Sequence, residues 1–365
     1  MRALQIYAGK KARAVLAEQG LQPSDVRVVP AAAGGPKGLI LGPLDRFIFG
    51  QWLAGSSQTV HLVGASIGAW RMATACLSDS VSALERLERD YIAQHYELAP
   101  GQRRVPAALV SAQFRENLQL FYGGRVGEVL SHPRFRLHIV ASRGRALLRR
   151  EHPVATPLGF GLAFAANAVQ RKLLAQWLER VVFSSESGPL PFDTQDFRTH
   201  RVGLEERNFM QALQASCSIP FLLEAVHDIA GAPSGAYWDG GITDYHLHLD
   251  YCAAPASAAW AAGEGLVLYP HFQQAVVPGW LDKAFKSRHA SSPFLDSMVV
   301  LAPTAQWVQS LPNGKLPDRT DFTHYGNDLA GRMRAWKGAT SAAQALADEF
   351  AAWLERPDSA QVLPL

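Results

Sequence analysis

Ser66 stands in Gly64-Ala65-Ser66-Ile67-Gly68, a G-x-S-x-G spacing that can hold a serine on a sharp turn between a strand and a helix. The flanks suit that context. Residues 60–63 are a β-favouring run, Val-His-Leu-Val, and residues 69–77 are an apolar, helix-compatible stretch. Gly64 and Gly68 would allow a strained turn and a close approach of neighbouring segments, and the helix that follows would place its positive end beside the serine oxygen. That points to a nucleophile. The competing reading of the same five residues is a structural Gly/Ser turn.

Two further stretches complement a nucleophilic serine. Residues 26–29 (Val-Arg-Val-Val) read as a strand running into Gly34-Gly35-Pro36-Lys37-Gly38, with an apolar helix expected over 39–53. A glycine-rich loop there offers unpaired N–H groups to an anion. It fits neither the dinucleotide spacing G-x-G-x-x-G nor the P-loop spacing. The remaining anion is the oxyanion of an acyl-transfer intermediate. Pro36 has no N–H, so the donors would be Gly34 and Gly35, with the Lys37 amide a third candidate; a packing turn is the alternative. Downstream, Tyr237 and Trp238 lead into Asp239-Gly240-Gly241, which places a carboxylate on a tight turn where it can face a cleft. A plain Asp-Gly turn would look the same.

A serine needs an adjacent base. In the order serine, acid, histidine, the candidates after Asp239 are His246, His248, His271 and His324. His271 ranks first because it lies just past a strand expected at 266–269.

The rest of the chain must position these groups. With 365 residues it can bury a large core. Apolar residues make up 48% and charged ones 18%, a globular balance, and a net charge of +3 carries no signature of nucleic-acid binding. Cys76, Cys217 and Cys252 are far apart, without a metal or disulfide pattern, which suits reduced thiols and a cytoplasmic setting. Residues 1–5 lack an apolar signal core, no run approaches ~18 apolar residues, and no metal or cofactor is indicated. A soluble intracellular protein is expected. Helices are expected over 3–18, 81–95, 111–130 (interrupted at Gly123-Gly124), 157–180, 209–223 (broken near Pro220), 326–337 and 340–355. Strands are expected at 135–142, 181–183 and 265–270. Their alternation predicts an α/β sandwich with a mostly parallel sheet, and the absence of linkers predicts one domain over 1–365. The apolar 157–180 segment admits two readings, a buried helix or a lid that meets lipid. Residues 280–286 read as short, basic and amphipathic.

At this point the chain resembles the patatin-like phospholipases, a family of lipid acyl hydrolases with a Ser-Asp dyad. Four pieces carry the resemblance: Gly34-Gly35-Pro36-Lys37-Gly38, similar to the family's oxyanion loop; Gly64-Ala65-Ser66-Ile67-Gly68; Ala215-Ser216-Cys217-Ser218-Ile219-Pro220, similar to its A-S-x-x-x-P helix end; and Asp239-Gly240-Gly241. They span residues 32–241 in the family's order, a motif-bearing core of about 26–245. Residues 246–365 would add strands and helices to the same domain.

The resemblance implies a three-layer α/β sandwich and an acyl-enzyme on Ser66. Asp239 would be the base, its pKa raised by burial beside Tyr237 and Trp238. Gly34, Gly35 and Lys37 would form the oxyanion hole, and no cofactor would be needed. The implied partner is a lipid or other acyl ester, with peripheral membrane contact through 157–177 and 280–286, and no nucleic acid. One departure is Ala32-Ala33, where the family carries an acidic residue and glycine; an alanine forced to positive φ would be strained. The alternatives are a Ser-His-Asp esterase using His271 and a lipid-binding protein without turnover.

Overall fold

The Val- and Leu-rich runs form a central sheet in a computed structural model that describes residues 1–96, 105–253 and 265–365. Among the described residues the strands are β1 Leu4–Ala8, β2 Val26–Ala31, β3 Val60–Ala65, β4 Phe135–Gly144, β5 Leu178–Ser184, β6 Thr199–Gly203, β7 Val226–His227, β8 Ala236–Asp239, β9 Leu266–Pro270, β10 Met298–Pro303 and β11 Val362–Pro364. The order across the sheet is β11-β1-β10-β9-β2-β3-β4-β5-β6, with the β7–β8 pair attached to β4. Pairings β10–β9, β9–β2, β2–β3 and β3–β4 are all parallel. Strands β3 and β9 are buried at every position, as parallel strands covered on both faces must be. Antiparallel contacts enter at β1–β10 and β4–β5. The fold is mixed α/β, with a mostly parallel central sheet flanked by helices.

The helices are α1 Lys10–Gln19, α2 Gly42–Phe47, α3 Ile67–Ala75, α4 Ser80–Ala93, α5 Ala107–Tyr122, α6 Val126–Leu130, α7 Ala155–Val169, α8 Glu206–Cys217, α9 Ala305–Gln309, α10 Thr320–Tyr325, α11 Leu329–Ala342 and α12 Gln344–Glu355. Helix α3, which follows Ser66, is buried throughout, including Arg71. A buried guanidinium needs a partner, and Asp45 on α2 supplies a two-pronged one at 2.6 and 2.7 Å. That pair fixes the helix that follows Ser66 against α2.

Several elements differ from expectation. Residues 3–18 are not one helix: Leu4, Ile6 and Ala8 are buried in alternation on β1, and α1 begins at Lys10. Leu4 and Ala8 satisfy a period of two as well as a helical i,i+4 spacing, which is why the pattern misleads. The helix expected at 39–53 starts earlier, as a 3₁₀ turn at Gly35, passes through a π turn at Ile48–Trp52 and ends in a 3₁₀ turn at Leu53–Gly55. Pro43 removes one N–H from its ladder. The helix expected at 326–337 starts at Leu329, capped by the Asp328 side chain, which accepts the Gly331 N–H at 2.8 Å, and runs to Ala342.

The 157–180 segment stops at Val169 and tightens into a 3₁₀ turn, Arg171–Gln176. Phe160 and Ala163 face the core, whereas Leu158, Leu162 and Phe164 are exposed. Residues Trp280–Ala284 form a 3₁₀ turn that leaves Lys283 and Lys286 exposed and buries Asp282, which is held by Asn167, Arg171 and Arg288, each at 2.8 Å. Strand β10, buried along its whole length, lies in a stretch for which the sequence reading gave no element. Among the described residues no helix is long and apolar enough to cross a membrane.

Candidate active site

Strand β4 brings the serine and the carboxylate together. Its edge is shared end to end by two strands of opposite direction: β3 runs parallel to it, with Ala65 opposite Val140, and β8 runs antiparallel, with Asp239 opposite Ala141. The C-terminal ends of β3 and β8 therefore meet over adjacent residues of β4. Ser66 Oγ donates a 2.6 Å hydrogen bond to Asp239 Oδ2, although the two residues lie 173 positions apart.

Ser66 has φ 56° and ψ −129°, a backbone conformation that costs a non-glycine residue on the order of 1–3 kcal/mol. Its surroundings over-determine it. A Cβ on Gly68 would lie 1.9 Å from the Ala31 carbonyl oxygen, so only glycine lets α3 pack onto β2. Gly64 faces Ala69 across the same turn. The Ser66 N–H donates to Ser216 Oγ at 2.9 Å, and Ser216 Oγ donates onward to the Val140 carbonyl at 2.6 Å. At the same helix end the Ser218 carbonyl accepts the Asp239 N–H at 2.8 Å. The end of α8 thus clamps both halves of the pair. Sequence reasoning quoted this stretch without giving Ser216 a role.

Asp239 Oδ1 accepts the Gly241 N–H at 2.7 Å, and Ser142 Oγ donates to the Asp239 carbonyl at 2.9 Å. Gly240 lies against β4, where a Cβ would meet the Val140 carbonyl at 2.0 Å. Ser66 and Asp239 are 4% and 6% exposed. Burial pushes the Asp239 carboxyl above its ordinary range, while the Ser66 hydrogen bond and the charge of Arg319 oppose the shift. Tyr237 and Trp238 contribute otherwise than expected. The Trp238 ring belongs to a separate apolar cluster and meets Phe160 edge-on at 5.5 Å, and the Tyr237 hydroxyl donates to the Pro233 carbonyl.

The loop bears out its unusual composition. Gly35 has φ 58°, whereas Ala32 and Ala33 stay at negative φ, so the departure at these alanines introduces no strain. Ala33 donates to the Tyr245 carbonyl at 2.9 Å, and its Cβ lies 2.6 Å from where a Gly241 Cβ would sit, which seats the loop on the Asp239 turn. In a 3₁₀ turn opening at Gly35, the first i→i+3 rung directs the Lys37 N–H back to Gly34. The N–H groups of Gly34 and Gly35 have no such rung. Gly38 packs on Ile67. A narrow groove between α2, α3 and α4 is lined by Leu39, Ile67, Leu84, Leu87 and Tyr91 together with the charged Asp45, Arg71 and Glu88.

None of the four candidate histidines hydrogen-bonds Ser66 or Asp239. His271 Nδ1 engages the Gln273 carbonyl, and burial pushes its pKa down to about 3. His246 contacts the Ala275 carbonyl at 3.1 Å, and His248 contacts the Val276 carbonyl and Ser292 Oγ. His324 is exposed. The Cys217 thiol is hydrogen-bonded with Ser66, but burial holds its pKa well above the usual thiol value, so it does not compete as a nucleophile. Among the described residues no group of three or more His, Cys, Asp or Glu could hold a metal ion.

No family model matches the sequence, and no curated protein matches it. Solved structures give a distant likeness. The chain is similar to VipD from Legionella pneumophila, with 15% identity and a TM-score of 0.37 over 95% of this chain and 70% of that one. It is also similar to human GIVD cytosolic phospholipase A2, with 11% identity and a TM-score of 0.39 over 96% of this chain and 63% of that one.

Proposed function

We propose that this chain is a serine hydrolase of lipid acyl esters, with Ser66 as nucleophile and Asp239 as general base. The observation that carries the reading is the 2.6 Å bond between a strained, elbow-mounted serine and a buried carboxylate. The Ser66 proton would pass to Asp239 Oδ2 as Oγ attacks the ester carbonyl. The resulting oxyanion would face the Gly34 and Gly35 N–H groups. Collapse breaks the ester bond, and Asp239 returns the proton to the departing alcohol oxygen. Asp239 then takes a proton from water, the hydroxide attacks the acyl-enzyme, and the proton goes back to Ser66 as the acid leaves. A raised Asp239 pKa suits a base that works near neutrality.

Lipid as the acyl source is supported by apolar surface close to the site. Phe221 and Leu222, just past the α8 end that clamps Ser66, are 57% and 50% exposed, and Leu158 on α7 is 55% exposed. Phe160 of α7 meets Phe221 at 5.8 Å, so these residues form one neighbourhood suited to peripheral contact with a lipid surface. The histidine alternative has no support from the His271 contacts.

The test is hydrolysis of p-nitrophenyl esters of graded chain length by wild type, Ser66→Ala and Asp239→Asn. Loss of turnover in both variants is expected. Activity that survives Asp239→Asn moves the base elsewhere. A wild type that neither turns over esters nor is labelled by a fluorophosphonate, yet binds lipid, removes the hydrolase reading.

A further inference from the structure

Three cations converge on this site from separate parts of the chain. Phe272 stands over the oxyanion loop, its Cε1 2.7 Å from where a Gly34 Cβ would sit, and Lys37 Nζ lies 5.3 Å from the centre of that ring. Tyr245 stands over the Asp239 turn, its Cδ2 3.3 Å from a Gly241 Cβ position, and Lys283 Nζ lies 4.3 Å from its ring centre. The Arg319 guanidinium lies over Gly35, with Nε 3.3 Å from a Cβ position there. Both Lys283 and Arg319 act electrostatically on Asp239.

None of the three has an anionic partner within ion-pair distance among the described residues, and the acids nearest to them in the chain are already engaged. Asp282, beside Lys283, is held by Arg171 and Arg288. Asp318, beside Arg319, pairs with Lys315 at 2.8 Å and accepts the Thr320 N–H. Asp321 takes Lys315 and the Trp336 indole N–H. Two carboxylates act on the three cations: Asp239, already committed to Ser66 and Gly241, and Asp318, which acts on Lys37 across space and is itself held by Lys315. Lys283 is exposed, but Lys37 and Arg319 are half-buried, and cations drawn from water without a counter-charge are unfavourable unless an anion arrives. Elsewhere in this molecule buried cations have partners, as Arg71 and Arg180 do.

We propose that Lys37, Lys283 and Arg319 form an anion subsite beside the Gly34–Gly35 loop, selecting acyl esters that carry a net negative group, phosphate or carboxylate, close to the ester. The proposal rests on the hydrolase reading of the same site. It gives the motif-free residues 246–365 a purpose, since Lys283 and Arg319 both come from them. A zwitterionic headgroup would offer the three cations no net charge, and a neutral ester none at all.

The experiment compares kcat/KM for four soluble octanoyl esters: octanoylglycerol phosphate, octanoyl lactate, octanoylglycerophosphocholine and octanoylglycerol. Wild type, Ser66→Ala, Lys283→Gln, Lys283→Arg and Arg319→Gln are assayed. Wild type is expected to favour the anionic esters over octanoylglycerol by roughly tenfold or more, the size of one charge-assisted hydrogen bond. Lys283→Gln and Arg319→Gln lower that ratio, and Lys283→Arg keeps it. A larger preference for the phosphate or for the lactate ester identifies the group the subsite takes. Equal rates on anionic and neutral esters, all abolished by Ser66→Ala, overturn the subsite and leave the hydrolase intact. If no ester is hydrolysed, calorimetric titration with octanoylglycerol phosphate decides. Binding that weakens in both glutamine variants supports the subsite without the hydrolase; binding that is absent, or unchanged by them, overturns it.

Discussion

Asp239 and Asp244 lie on one short stretch, both buried, and the molecule treats them in opposite ways. Asp244 is gripped by Arg180 through two bonds of 2.7 and 2.8 Å, and Arg180 is gripped in turn by Asp196. Asp239 has a hydroxyl and one backbone N–H. Nearby cations show the same division: Arg171 and Arg288 are paired on Asp282, whereas Lys37, Lys283 and Arg319 face the Ser66 site unpaired. A fully partnered buried charge fixes structure. An under-partnered one retains the capacity to take a proton or bind an anion.

The strongest way to break that comparison is to neutralise both acids. Asp239→Asn should lower ester turnover by ~10⁴-fold, the scale on which loss of a triad acid acts. Its stability at pH 7 should hold or rise. With a folded-state pKa raised above the unfolded value, the stability linked to this group is present below the unfolded pKa and is lost as pH rises through the folded one, so ionised Asp239 opposes folding at neutrality. Asp244→Ala should instead cost about 3 kcal/mol in urea unfolding, because it removes one of the two carboxylates paired with the buried Arg180 and leaves only Asp196 to offset that charge. Equal destabilisation by the two substitutions would erase the distinction.

Next in size is the loop. Gly34→Ala places a methyl group 2.7 Å from the Phe272 ring, which must shift the Gly34 amide. A loss of ~10²-fold in kcat is expected, with KM less affected, as for removal of one oxyanion donor. Little change in kcat would put the oxyanion elsewhere.

Two pH effects sharpen the picture. In the proposed mechanism Asp239 must be ionised to accept the serine proton, so kcat/KM on a neutral ester should fall as pH drops through its raised pKa, with an apparent pKa above the ~3.9 of a free aspartate. Lys283 sets the second. Burial pushes its amine down to about 8, with the charges of Lys37 and Arg319 lowering it and Asp239 opposing, while Tyr245 packs against it. Preference for anionic esters should therefore weaken between pH 7 and 9, and Lys283→Arg should flatten that dependence. His271→Ala should have the smallest effect, well short of the ~10²-fold that loss of a general base costs.

Local geometry of the site was legible in the residues themselves. A serine between two glycines after a β-favouring run could be placed on a strand-to-helix turn, because only glycine tolerates the approach of β2 at position 68. The Asp-Gly-Gly turn, the glycine loop and most central strands were legible for similar reasons: each is dictated within a window of about ten residues. Strand β1 was not, since Leu4 and Ala8 serve both periods until a neighbouring strand selects one.

Non-local features depended on the packed fold. The Ser66–Asp239 contact arises because β3 and β8 end against adjacent residues of β4, and no local pattern specifies that register. Ser216 acquires its role from the same packing. Whether Lys283 or Arg319 is a solvated surface charge or an unpaired cation beside Ser66 and Asp239 depends on which acids the fold has already engaged. Charge pairing is settled across the whole chain, so residue type and spacing cannot reveal it.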